Sequence, residues 1–322
     1  MSELIDVVVA AKELIADDIA RLELRRADGG ALPAFSPGAH IDVHIGERLI
    51  RQYSLCNEPG EESRYVLGVL HEKRGRGGSS AIHEKVKTGD TLKISPPKNN
   101  FMLREEAAHT LLFAGGIGIT PLLCMARRLF ALGAAFDLHY CCRTESRAAF
   151  LDELRSTGLE GHSHLYFDDA GPGLDIAGVL DTAPADAHLY VCGPTGFMQA
   201  VTQSAAEAQW STDRIHQEFF VAPADSEAGA GSDSSAFVVE LARSQKEFSI
   251  PADKSIVDVL YDAGIEPPVS CEQGVCGTCV TKIIDGTPLH KDVYLTDDEK
   301  SSNTVMTICC SRALTPRLVL DL

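Results

Sequence analysis

The nine residues Cys271-Glu272-Gln273-Gly274-Val275-Cys276-Gly277-Thr278-Cys279 constrain this chain more than any other segment. They place three thiols in one glycine-rich loop, spaced C-x4-C-x2-C, and a Cys309-Cys310 pair begins 30 residues later. That is the plant-type [2Fe–2S] spacing, in which four thiolates hold two irons. A loop that wraps two irons needs tight turns and N–H donors near sulfur. Gly274 and Gly277 permit such a backbone. Adjacent side chains in an extended segment face opposite ways, so only one of Cys309 and Cys310 can be the fourth ligand. Zinc also takes four cysteines, but zinc ribbons usually present two separate C-x2-C pairs. A Rieske centre would replace two cysteines by histidines, and this loop has none.

Five of the 10 cysteines fall in the last 52 of 322 residues. The other five, Cys56, Cys124, Cys141, Cys142 and Cys192, stand in apolar surroundings and read as small packing residues. The amino terminus lacks a basic segment before its short apolar stretch, which Lys12 and Glu13 interrupt, so no secretory signal is read. A cytoplasmic chain keeps its thiols reduced, which favours packing or metal ligation over disulfides. The net charge of −17 argues against non-specific nucleic-acid binding. No apolar run approaches the roughly 18 residues of a membrane span.

Ala222 to Ser235, APADSEAGAGSDSS, has linker composition. If flexible, its 14 residues span about 20 Å root-mean-square. Residues 1–105 read mostly as short strands (Arg21–Leu24, His40–Ile45, Arg64–Leu70) divided by turn clusters, which predicts a small antiparallel β-barrel. From 106 to 221 strand and helix alternate: strands at 109–114, 136–142 and 187–192, and a helix over Leu122–Leu132. This predicts a parallel α/β sheet. A third domain occupies 236–322. Residues 106–221 carry a charge of −8 and 236–322 carry −5.

Ala114-Gly115-Gly116-Ile117-Gly118-Ile119-Thr120-Pro121 follows a strand and opens a helix, where backbone can approach a pyrophosphate. It is not the strict G-x-G-x-x-G fingerprint, and alone it could be a plain tight turn. Cys192-Gly193-Pro194 ends a later strand of the same sheet, and two such loops on one edge make a nucleotide crevice. In the first domain, Arg51 and Ser54 on one side of a strand could hold phosphate, with Tyr53 against an aromatic ring. Gly75-Arg76-Gly77-Gly78-Ser79-Ser80 could form an anion nest.

The order of these motifs, RxYS, GRGGS, GGIGITP, CGP, E-x-F, linker and CEQGVCGTC, resembles the phthalate dioxygenase reductase family over essentially the whole chain. The resemblance implies an FMN-binding barrel, an NADH-binding α/β domain and a β-grasp, α+β ferredoxin domain. It implies flavin contacts at Arg51, Tyr53, Ser54, Gly77, Gly78, Ser79 and Ser80. It implies nicotinamide contacts at Gly115, Gly116, Gly118, Thr120, Pro121, Cys192, Gly193 and Pro194, with Arg143 near a phosphate or ribose. Glu218 and Phe220 match the E-x-F segment, whose aromatic lies near the flavin. The cluster ligands fall on Cys271, Cys276, Cys279 and Cys309. One position departs from the pattern: related reductases often carry a Lys where this chain has Leu70, so cationic help to the flavin phosphate must come from Arg51, Lys73, Arg74 or Arg76.

The resemblance also implies a function: electrons pass from NADH through FMN and the [2Fe–2S] cluster to a terminal Rieske oxygenase. Ser54, Thr120, Cys192 and Glu218 are the candidates for steering nicotinamide onto flavin. In Cys142-Arg143-Thr144-Glu145-Ser146-Arg147 the cations could accept a 2′-phosphate, but Glu145 would repel one, which favours NADH over NADPH. Two other readings remain: a reductase serving a cytochrome P450 or diiron oxygenase, and a non-enzymatic ferredoxin-like binding module.

Overall fold

A computed structural model describes residues 3–46, 49–156, 158–222 and 235–322. The chain divides into two compact units, Met1–Glu218 and Phe219–Leu322. The expected linker, apart from Ala222 and Ser235, lies outside the described residues.

The first unit opens with β1 (Ile5–Ala16), β2 (Ile19–Arg26), β3 (His40–His44), β4 (Ile50–Ser54), β5 (Tyr65–Leu70), α1 (Gly78–Glu84) and β6 (Thr91–Ile94). Every strand pairing is antiparallel, in the order β4-β3-β6-β1-β2-β5. An antiparallel bridge between Leu55 and Leu67 links the two ends of that order and closes the barrel. Period-2 alternation fills it: Val7 and Val9 of β1, with Ala20, Leu22 and Leu24 of β2, are buried in one core with Ile41, Val43, Tyr65 and Leu67. Lys12, which interrupts the apolar run of β1, has a structural task. Its ammonium donates to the carbonyls of Ile82, His83 and Val86 at 2.7, 2.7 and 2.8 Å. It thereby satisfies the free carbonyls at the end of α1. Burial lowers the Lys12 pKa.

The same unit continues with β7 (Thr110–Gly115), α2 (Ile119–Leu132), β8 (Phe136–Cys142), α3 (Leu151–Ser156), β9 (Ser163–Phe167), α4 (Ile176–Thr182), β10 (His188–Cys192), α5 (Thr195–Glu207) and β11 (Ile215–Glu218). The five strands are all parallel, in the order β11-β10-β7-β8-β9. The helix expected from Leu122 begins three residues earlier, at Ile119. Pro121 lies in its first turn, where a missing N–H costs nothing.

The second unit contains β12 (Phe237–Leu241), β13 (Lys246–Ile250), α6 (Ile256–Asp262), β14 (Val280–Asp285), β15 (Pro288–Leu289), α7 (Asp297–Ser302), β16 (Val305–Thr307), β17 (Arg312–Ala313) and β18 (Arg317–Leu320). Its mixed sheet runs β13-β12-β18-β14-β16, with β12 and β18 parallel. Ile256, Val257 and Leu260 of α6 bury against Val239, Met306 and Leu318. Ser255 caps α6 through a full capping box with Asp258. The fold class is the one expected: an antiparallel barrel, a parallel α/β sheet and an α+β ferredoxin domain.

Candidate functional site

The first group of site residues forms where β4 meets the start of α1. The β4 register pairs Arg51 with Val43 and Ser54 with His40, so these residues, three positions apart, face opposite sides of the strand. This corrects the expectation that they share a side. Arg51 instead lies across Gly78, where an added Cβ would come within 2.4 Å of Arg51 Cγ. Its guanidinium donates to the Arg76 carbonyl at 2.9 Å. The RxYS and GRGGS motifs are thus one structural unit. Gly77 precedes α1 with φ 80. The Ser79 hydroxyl accepts from Glu72 N–H at 3.0 Å, and Ser80 Oγ lies 3.2 Å from His71 Nε2. Tyr53 packs half-buried against the barrel core, and Ser54 is buried. Of the cations expected to compensate for Leu70, Lys73 pairs with Asp18 at 2.9 Å.

The second group lies at the carboxyl ends of the parallel strands. Cys192 stands beside Ala114 on one side and Glu218 on the other. The GGIGITP and CGP loops touch there: a Cβ at Gly118 would meet the Cys192 carbonyl oxygen at 2.1 Å. Only glycine fits such an approach. A Cβ at Gly115 would meet Phe197 and Pro194 at 2.9 Å, and one at Gly193 would meet Gly115 Cα at 2.9 Å. Gly116 opens the turn at φ 53, and Pro121 is buried in α2. Thr120 is buried, and its hydroxyl donates to the Ile117 carbonyl at 3.0 Å. Its methyl faces Gly68 of β5, 2.7 Å from where a Cβ would stand there. The GGIGITP loop therefore rests directly on the barrel.

Electrostatics at this edge favour neutral groups. Burial pushes the Glu218 carboxyl up to about 8. Its Oε2 is buried without a hydrogen-bond partner among the described residues. Burial, and after it the Glu218 charge, raise the Cys192 thiol well above its ordinary value. Arg143 is exposed just beyond β8. Glu145 pairs with Arg155 at 2.9 Å, and Arg147 lies 3.8 Å from Asp18. Phe220 is half-buried at the start of the second unit.

In the second unit the expected ligands come together in one place. Cys271, Cys276, Cys279 and Cys309 are all buried. Hydrogen bonds from Cys276 and Cys309 hold the Cys271 thiol well below its ordinary value. The same contact is the main cause holding Cys276 above its own. Cys309 also touches Cys279. Backbone N–H groups of Gln273 and Val275 point at Cys271 sulfur, the first at 3.3 Å. Gly277 has φ 73 and lies under the Tyr294 ring, 2.1 Å from where its Cβ would stand. Cys310 Sγ turns to Thr307 Oγ1 at 3.3 Å and to Gly274. Among the described residues no three His, Cys, Asp or Glu side chains are placed to hold a single metal ion. A two-iron cluster takes its thiolates in pairs, and four clustered sulfurs with inward N–H donors fit one.

Sequence reasoning missed two contributors. Lys12 was noted only as a break in an apolar run, yet it holds α1. His71 gave no signal because its contact with Ser80 is tertiary.

The chain matches the family descriptions "Oxidoreductase FAD-binding domain" over residues 6–103 and "2Fe-2S iron-sulfur cluster binding domain" over 239–314. It is 48% identical to a vanillate O-demethylase oxidoreductase of Pseudomonas sp. (strain HR199 / DSM 7063), covering 99% of this chain and 100% of that one. Among solved structures, an intact type IV self-sufficient cytochrome P450 monooxygenase aligns with TM-score 0.82 at 35% identity, covering 99% of this chain and 41% of that one. Phthalate dioxygenase reductase, described as a modular structure for electron transfer from pyridine nucleotides to [2Fe–2S], aligns with TM-score 0.79 at 38% identity, covering 99% and 98%. With its flavin-type barrel, its nucleotide-edge sheet and its four-thiol loop, the chain is an oxidoreductase that belongs to the phthalate dioxygenase reductase family.

Proposed function

We propose that this protein takes electrons from NADH through FMN and a [2Fe–2S] cluster held by Cys271, Cys276, Cys279 and Cys309, and delivers them to a Rieske-type terminal oxygenase in the cytoplasm. The observation that carries this reading is the contact of the nicotinamide loop with the flavin barrel at Thr120 and Gly68, in a chain that also supplies a four-thiol loop. The division of labour is three modules: barrel (1–105), nicotinamide domain (106–221) and ferredoxin domain (236–322), joined by the 222–235 linker. The names of the relatives, vanillate O-demethylase oxidoreductase among them, support an oxygenase as acceptor.

Bound flavin supplies the one chemical conversion that protein side chains cannot: it accepts two electrons together and gives them up singly. Arg51 with Gly77, Gly78, Ser79 and Ser80 binds its phosphate, and Tyr53, on the same face of β4 as Arg51, lines the ring. FMN over FAD fits this single compact phosphate cradle and the family resemblance. Gly115, Gly116 and Gly118 let backbone approach the dinucleotide, with Pro121 fixing the first turn of α2 and Arg143 placed for a ribose or phosphate. Cys192, Gly193 and Pro194 close the crevice from the neighbouring strand. Glu218 holds its proton near neutrality and so adds no charge where NADH must bind. NADH over NADPH follows from Glu145, whose carboxylate opposes a 2′-phosphate.

A P450 chain carries a region of this same fold, so that class of acceptor belongs in the test. The deciding experiment mixes the purified protein with candidate Rieske oxygenases and P450s and measures substrate-coupled NADH oxidation. Coupling to a Rieske oxygenase supports the proposal; coupling to a P450 alone overturns it.

A further inference from the structure

Among the described residues, His290 Nδ1, His290 Nε2 and Asp292 Oδ1 are buried without hydrogen-bond partners, and all three lie in one short segment of the ferredoxin unit. Asp292 is 2% exposed and its side chain 0%. Its Oδ2 accepts from Leu295 N–H at 2.8 Å, while Oδ1 stands 3.7 Å from His290 Nδ1, beyond hydrogen-bond reach. Leaving a buried polar group unpaired costs about 1–3 kcal/mol. Folded proteins keep few such groups, and a redox role is one reason to keep one.

The surroundings say which role. Val293 N–H donates to the Gly274 carbonyl at 3.0 Å, fastening this segment to the loop between Cys271 and Cys276. A Cβ at Gly274 would come within 3.0 Å of Asp292 Cα and Cβ and 2.6 Å of Cys310 Sγ. Asp292 is close enough for its charge to act on the Cys310 sulfur. On the other side, the Lys300 ammonium donates to the Asp292 carbonyl at 2.8 Å. A fixed negative charge opposes the arrival of an electron, and the opposition is larger where water is excluded. Net charge and buried dipoles near the sulfurs set the potential of such clusters.

We propose that Asp292 sets the reduction potential of the iron–sulfur cluster, its buried carboxylate against the ligand loop keeping the reduced cluster a strong electron donor. Lys300 offsets part of that field from the outer side. The idea rests on the cluster assignment proposed above.

The test is a potentiometric titration of the full chain, with cluster reduction followed by electron paramagnetic resonance and iron content measured in each variant. Asp292→Asn keeps the shape and the acceptor for Leu295 N–H but removes the charge. Its midpoint is expected to rise by about 59 mV, a tenfold easier one-electron reduction. Lys300→Gln keeps a donor to the Asp292 carbonyl but removes the cation, and its midpoint is expected to fall. A full-iron Asp292→Asn protein with an unchanged or lowered midpoint overturns the proposal. If Asp292→Asn loses its iron, Lys300→Gln decides: a lowered midpoint supports the proposal and an unchanged one overturns it. Wild-type protein without iron would instead defeat the cluster assignment, which separates the two failures.

Discussion

Cys192 at the end of β10 and Glu218 at the end of β11 stand opposite each other in the parallel register. Neither ionises readily: burial raises both, and the Glu218 charge raises Cys192 further. The crevice edge is therefore kept from gaining negative charge, which suits the anionic dinucleotide proposed to bind there.

The Glu218 carboxyl has a consequence for stability. Its pKa is raised from 4.5 to about 8 in the folded protein, so between those values the folded state holds a proton that the unfolded state has released. Stability then declines as pH rises through that window and levels off above it. Glu218→Gln is expected to flatten the decline. The chain's one tryptophan, Trp210, lies in the same unit, so its fluorescence during urea unfolding at pH 5 to 9 measures the effect. Parallel pH profiles for both proteins would contradict it.

Gly118 meets the Cys192 carbonyl too closely for any side chain. Gly118→Ala is expected to push the two nucleotide loops apart, costing about 1–3 kcal/mol of overpacking. The KM for NADH should rise and the thermal midpoint of the first unit should fall. An alanine variant with unchanged KM and melting temperature would show that the loops are not in contact.

Arg51 ties the RxYS strand to the GRGGS turn. Losing a charge-assisted hydrogen bond costs about 1.5–3 kcal/mol, so Arg51→Gln should weaken flavin binding by roughly 10- to 100-fold. Fluorescence titration of flavin-stripped protein with FMN and FAD measures this, and tighter binding of FAD would count against FMN as the natural cofactor.

Much of the fold was legible because patterning is local. The span of β8 was read to the residue from an apolar run, and the cysteine loop was readable because ligand spacing is a sequence property. Tertiary relationships were not. The longest strand, β1, was hidden by Lys12 and Glu13, which break its apolar run but serve α1 and Arg21 across space. The Gly75–Ser80 segment reads from sequence as an anion nest, with no sign that Gly78, Ser79 and Ser80 begin α1, because glycine-rich composition masks a helix that Lys12 and Arg51 hold in place. The face of Ser54 was misjudged because strand alternation was not applied across three positions.

The choice between Cys309 and Cys310 has a direct check. Cys309 touches Cys271 and Cys279, while Cys310 turns to Thr307 and Gly274. Cys309→Ser should abolish the visible absorption of the cluster and its bound iron, and Cys310→Ser should retain both. The reverse result would move the ligand to Cys310.

The order of electron flow is tested most directly with Cys276→Ser in the flavin-loaded full chain. Transfer from NADH to the barrel needs no cluster, so NADH-driven reduction of ferricyanide should be retained. Reduction of cytochrome c, which takes its electrons from the cluster, should be lost. A Cys276→Ser protein that reduces cytochrome c as fast as the wild type would contradict the proposed path from nicotinamide through flavin to cluster.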